Sequence, residues 1–184
     1  GYAYEIPEEG IYYDIKKFKD YGKLARRTAT EAEDGVSRID EGLKKKNKGD
    51  FVLWKRTGKN EPTWETSIGP GRPGWHIEDT AISEHYFGSQ YDLHGGGLDL
   101  KFPHHEAEIA QQEAASGKKP FVKIWMHAGL FRVSGKKMSK SIGNFLTIRD
   151  FLKKHSANTL RWITLTHHYR SPAHYTERLA KEAG

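Results

Sequence analysis

Three observations predict an α/β fold for this 184-residue chain. Past a run of glycine and proline at Gly69-Pro70-Gly71-Arg72-Pro73-Gly74, short apolar strand-like stretches alternate with longer helical ones, the pattern of a layered, mostly parallel sheet. Three consecutive glycines, Gly95-Gly96-Gly97, follow one of those strands directly, as they do where a ligand lies across a strand end. The chain is also long enough to bury one real core, or a core with a small appended subdomain.

The elements follow in order. Ile11 to Ile15 reads as a strand, Lys44 to Asp50 as a charged loop, and Phe51 to Trp54 as a short buried strand, so the first 70 residues form a small subdomain of their own. The stretch from Thr28 to Gly42 is polar and poorly periodic. After the Gly69 to Gly74 boundary, Trp75 to Tyr86 reads as a helix and Tyr91 to His94 as a strand. Pro103 to Ser116 reads as a second helix with the proline in its first turn, and Ile124 to His127 as a strand. Two further helices are expected near Thr147 to Lys154 and Asn158 to Thr166.

Composition excludes some chemistry. There is no cysteine, so no disulfide and no thiolate metal site is possible; a metal must be held by His, Asp or Glu. The longest apolar runs fall far short of a membrane span, and Gly1 to Glu5 lacks the regions of a signal peptide, so a soluble, cytoplasmic protein is expected. The abrupt start, with no initiator Met, leads us to expect that the chain continues a longer protein. The net charge of +6 is unevenly placed: Trp75 to Gly117 carries eight acids against one lysine, while Lys118 to Arg170 carries twelve Lys and Arg against Asp150 alone. Such a pair suits a site where a cation or ammonium group meets a polyanion, or two oppositely charged solvated faces.

Four groups carry chemistry. His94-Gly95-Gly96-Gly97 with Asp99 either makes a plain turn or seats a nucleotide, with Asp99 accepting from a ribose hydroxyl or an ammonium group. Lys137-Met138-Ser139-Lys140-Ser141, framed by glycines, is either a solvated or nucleic-acid-contacting basic loop or one that closes over a triphosphate. His104 and Glu108 stand four apart on one helix face, either sharing a metal ion or serving as a packed His and a dipole-matched acid. Trp75 is either core or the wall of a small apolar pocket, with Asp79 one turn further on.

In this order and spacing, Gly71-Arg72-Pro73-Gly74-Trp75-His76-Ile77-Glu78, His94 to Gly97, Phe102-Pro103-His104-His105-Glu106, Trp125-Met126-His127 and Lys137 to Ser141 with Gly143-Asn144 resemble the cysteinyl-tRNA synthetase family of class I. The resemblance extends over essentially the whole chain. It implies the second half of a Rossmann-type catalytic domain at residues 71–146, a connective insertion at 1–70 and the start of a helical stem at 147–184. It further implies activation of cysteine by ATP with Mg²⁺ and transfer to tRNA(Cys). His94, Gly95, Gly96, Gly97 and Asp99 would contact ATP and adenylate together with Lys137 to Ser141, and Lys137 and Lys140 would stabilise the phosphates. Trp75 would wall the amino-acid pocket, and His104 and Glu108 would be two ligands of a zinc ion that binds the substrate sulfur.

One departure stands out: Asp79 occupies the position where the family's pattern has Cys, so zinc is expected to be weak or absent in this chain. The family's His-Ile-Gly-His signature and a further Cys ligand are not among these residues, so the chain alone is not expected to complete the reaction. The alternative reading is a truncated, synthetase-like paralogue that binds a nucleotide or tRNA.

Overall fold

The computed structural model describes residues 1–27, 44–58, 60–133, 136–138, 143 and 145–184, with residues 136 and 137 as backbone. It divides into two compact units, residues 1–94 with 100–125, and residues 95–99 with 126–184. Strands and helices are mixed in it, as an α/β chain requires.

In the first unit, β1 (Ala3–Ile6), β2 (Gly10–Tyr13), β3 (Phe51–Lys55) and β4 (Arg72–Pro73) form one antiparallel sheet in that order. Aromatic side chains set its register. Tyr4 lies opposite Tyr12, and Tyr13 opposite Phe51 with the rings stacked at 4.9 Å. The sheet packs on α2 (Glu106–Ser116): Tyr13 and Phe51 share a core with Ile109 and Phe121, and the buried Tyr13 hydroxyl donates to the Ala110 carbonyl at 2.9 Å.

Strand β3 also positions α1 (Trp75–Phe87). The Gly74 amide donates to the Leu53 carbonyl at 2.8 Å, and a Cβ at Gly74 would stand 2.0 Å from the Val52 carbonyl oxygen, so only glycine lets the helix start this close to the strand. Helix α1 buries a polar stripe, His76, Thr80 and Ser83, toward the interior.

The second helix is entered through a kink. Phe102 is extended (φ −141°, ψ 133°), the one residue of Lys101–His105 with a non-helical backbone; Pro103 follows it at the start of the helical run, as expected, the Glu106 amide bonds to the Pro103 carbonyl, and the regular α-helix runs from Glu106. Gly117 ends α2 in the left-handed conformation, its amide bonded to the Glu113 carbonyl at 3.0 Å.

Strands β5 (Tyr91–Gly97) and β6 (Val122–Ala128) pair as a two-stranded sheet. In the second unit, β7 (Phe131–Val133) runs antiparallel to β8 (Lys136–Lys137) and parallel to β9 (Ala173–Tyr175). The four antiparallel strands belong to the segment up to the glycine and proline boundary; past it, where a mostly parallel sheet was expected, β7 pairs parallel with β9 and antiparallel with β8. Three short helices follow the caps that the sequence offers: Thr147 before α3 (Ile148–Leu152), Ser156 before α4 (Ala157–Leu165) and Thr176 before α5 (Glu177–Glu182), each hydroxyl accepting an amide three residues on. They enclose a core of Phe151, Ile163, Tyr175 and Ala180. Among the described residues no helix is long and apolar enough to cross a membrane.

Candidate functional site

Four of the residues singled out in the sequence meet in the first unit. Helix α1 delivers Trp75 and Asp79, the turn before α2 delivers His104, and the first turn of α2 delivers Glu108. His104 Nε2 lies 2.7 Å from Asp79 Oδ2 and 2.9 Å from Glu108 Oε1. The Trp75 ring covers the His104 ring, centroids 4.3 Å apart. The Trp75 side chain is part-exposed, so one side of the cluster faces solvent past an indole wall.

The other ring nitrogen of His104 decides the electrostatics. Its Nδ1 is 2.7 Å from Nδ1 of His76, a contact that needs one hydrogen between two nitrogens. His76 is 4 % exposed, and burial, reinforced by the neighbouring His104 charge, pushes its pKa down to about 3. His76 is therefore the neutral acceptor, and His104 donates from Nδ1. A neutral His104 would then aim a bare Nε2 lone pair at two carboxylates. Only a positive charge at that nitrogen, a proton or a metal ion, resolves the arrangement. In keeping with this, His104's pKa is raised: burial opposes the charged ring, but Glu108 and Asp79 outweigh it.

Glu108 points the same way. Its side chain is fully buried, yet among the described residues neither carboxylate oxygen receives an aligned hydrogen bond, even from the His104 nitrogen 2.9 Å from Oε1. A buried carboxylate without donors is costly unless a cation completes it. Asp79, His104 and Glu108 place one donor atom each within 4.8 Å of one another, and so do His94, His105 and Glu108. Three protein donors with one side open match a catalytic zinc site in number and type, with a carboxylate in place of a softer thiolate.

The surrounding groups hold the donors still. Gln111 Nε2 donates to the carbonyls of His76 and Ala107 at 3.2 and 3.0 Å and to Thr80 Oγ1 at 3.0 Å, tying α1 to α2. His94 is hydrogen-bonded through Nδ1 to the Tyr91 hydroxyl, stacks on Trp125 at 4.7 Å and stands 3.7 Å from Glu108 Oε2. The sequence reading missed His76 and Gln111 as functional groups. Gln111 was within reach, since His104, Glu108 and Gln111 follow the i, i+4, i+7 spacing of one face. His76 carried no such signal, because its partner lies 28 residues away.

The remaining residues singled out belong to the second unit. Gly95, Gly96, Gly97 and Asp99 lie at the end of β5 and the turn after it, and a Cβ at Gly97 would stand 2.6 Å from Asp99 Oδ1. Lys137 ends β8, and Met138 Sδ lies 3.4 Å from the Leu146 amide. Ser139, Lys140 and Ser141 lie outside the described residues, as does the polar stretch from Thr28 to Gly42.

Comparison with known proteins finds one family model, the tRNA synthetases class I (C) catalytic domain, matching residues 1–184. The chain is 52% identical over 177 residues to the cysteine--tRNA ligase of Thermococcus onnurineus, covering 96% of this chain and 37% of that protein. It is 48% identical over 183 residues to the enzyme of the same name from Thermoplasma volcanium, and 49% identical over 176 residues to that of Coxiella burnetii. Those matches cover 100% and 96% of this chain, and 40% and 38% of the relatives, so the chain spans about two fifths of their length.

Proposed function

The chain belongs to the tRNA synthetase class I (C) catalytic-domain family, and on that premise we propose that it supplies part of the apparatus that activates cysteine with Mg-ATP and transfers it to tRNA(Cys). The observation that carries this reading is the donor-poor, fully buried carboxylate of Glu108 beside His104 and Asp79, under the half-open wall of Trp75. Asp79, His104 and Glu108 are the groups that would hold a zinc ion. When bound, that ion supplies a soft-acceptor contact for a substrate sulfur that a serine hydroxyl matches poorly.

The chain's own residues do the rest. His76, kept neutral by burial, accepts from His104 Nδ1 and so holds the ring with Nε2 toward the carboxylates. Trp75, whose ring covers that of His104, walls the amino-acid pocket in this reading. In this reading residues 1–70 are the connective insertion, 71–146 the second half of the nucleotide fold and 147–184 the start of the stem. His94, Gly95 to Gly97 and Asp99 bind ATP and adenylate together with the segment Lys137 to Ser141, whose two lysines offset charge on the departing pyrophosphate.

Cysteine-dependent exchange of pyrophosphate into ATP, measured on this chain and on the product of the full reading frame that encodes it, tests the reading. Cysteine should drive exchange in the latter and serine should not; exchange with neither amino acid would overturn it. In the active protein Lys140→Ala should slow activation by about a hundredfold while moving the cysteine half-saturation far less, because its contact is made mainly in the transition state. For His76→Ala, zinc affinity measured by chelator competition should fall by about tenfold to a hundredfold, the usual effect of losing a group that orients a ligand.

A further inference from the structure

From Lys136 to Ser141 every residue is Lys or Ser except Met138. A lone apolar side chain in such a run is either left in water or given a seat, and the second unit gives it one. Met138 is half-buried and, with Phe131, Leu146, Ile148, Phe151 and Leu160, lines an apolar cavity of about 260 Å³ between α3 and α4. The hydroxyls at its edge are already engaged. Thr164 Oγ1 donates to the Leu160 carbonyl at 2.9 Å, and Thr147 Oγ1 donates to Asp150 Oδ2 at 2.7 Å while accepting the Asp150 amide at 3.0 Å. The cavity therefore suits a thioether and would leave a more polar side chain short of partners.

The same sulfur makes a tie across the chain. Met138 Sδ accepts the Leu146 amide at 3.4 Å, eight residues away in sequence. Leu146 is itself fixed, since it stands directly before Thr147, the cap of α3, and packs against the core that contains Phe151. On the other side Lys137 is held in register opposite Arg132. The stretch between Met138 and Leu146 thus has both its ends tied at one place, and the Met138 side chain is the tie. It is a tie with slack. Sulfur is a weak acceptor, the side chain is unbranched, and the space beside it lets the thioether change rotamer without leaving its seat.

Resting on the ligase reading, we propose that Met138 is a positioning residue for Lys137 and Lys140: its thioether, seated against α3 and α4, sets where the two lysines stand relative to the phosphates. Lys137 precedes it directly and Lys140 follows two residues on, so a shift at Met138 displaces both. The effect on rate follows from geometry, because charge stabilisation at a transition state tolerates little misplacement.

Cysteine-dependent pyrophosphate exchange by the product of the full reading frame tests this. Met138→Ser, too short to reach the cavity or the Leu146 amide, should lower the maximal rate by about tenfold to a hundredfold while moving half-saturation by ATP and by cysteine less than about threefold. Met138→Leu refills the seat and should stay within about threefold of the parent rate. Ile163→Val thins the same core without lining the cavity; it should lower the melting temperature and leave the rate within about threefold. A Ser variant as fast as the parent, a Leu variant as slow as Ser, or equal slowing by Ile163→Val would overturn the proposal. A second readout needs no catalysis. In the 184-residue chain, trypsin should cut after Lys137 and Lys140 about threefold or more faster in Met138→Ser than in the parent, measured against the cut after Lys154. Unchanged relative cutting would overturn the tie as well. A parent protein without exchange would sink the ligase reading, with the tryptic comparison still deciding whether Met138 holds the segment.

Discussion

Replacing His104 by Ala is expected to lower zinc affinity by on the order of a thousandfold, the largest single effect in the first unit, because the substitution removes the one nitrogen donor between two carboxylates. Asp79 and Glu108 would then face each other without a positive charge at the centre. Elemental analysis after metal stripping and zinc reloading should return less than one equivalent for the parent chain, as a weak site with Asp79 in place of a thiolate requires, and a stoichiometry near zero for His104→Ala. Glu108→Gln, which keeps shape and burial but not charge, should show the same loss with a smaller change in melting temperature, separating metal binding from folding. Asp79→Cys should move affinity the other way by about tenfold or more, since a thiolate is the softer ligand. A His104→Ala protein that still retains a full equivalent of zinc after chelation would remove these residues from the metal site.

The second large effect is structural and sits far from those ligands in sequence. Asp50→Ala should destabilise the first unit by about 3–5 kcal/mol, read as a shift in the urea midpoint at unchanged slope. Asp50 is 1 % exposed and accepts from the Ile15 amide at 3.0 Å, the Asn47 amide at 3.0 Å, Asn47 Nδ2 at 3.1 Å and the Tyr4 hydroxyl at 2.7 Å. Removing it orphans several buried donors at once, and each carries its own desolvation cost. Part of the loss reaches the donor cluster. Asp50 precedes Phe51, whose ring meets His76 edge-on at 5.4 Å, and His76 holds His104. Asp50→Asn retains one acceptor oxygen and should recover part of the loss. A midpoint within experimental error of the parent would show that water serves those donors equally well.

The residues that could be read along the chain were those whose geometry is local. His104 and Glu108 share a face because four residues make about one helical turn, and that spacing holds although the regular helix begins only at Glu106. The strand at Phe51 and the helix beginning at Trp75 followed from apolar runs and glycine punctuation. Pro103 marked the helix entry for a local reason too: a residue before proline is driven out of the helical region, and Phe102 is extended there.

What lay beyond that reading depends on contacts across long separations. Tyr4 meets Asp50 across 46 residues, Tyr13 meets Ala110 across 97, and Glu106 meets Leu24 across 82. None of these leaves a periodic trace, because each is set by how the sheet lies on α2 rather than by the turn of either element.

The sequence by itself determined the family, the mixed helix and strand content, the absence of any thiolate ligand and the substitution of Asp79 for Cys, all properties of residue identity and short spacing. Tertiary structure alone decided that His76 is the neutral partner of His104, and that Glu108 is buried with no aligned donor among the described residues. The physical reason is desolvation. Burial changes which protonation state and which partner a polar group can afford, and burial is fixed only when distant segments pack.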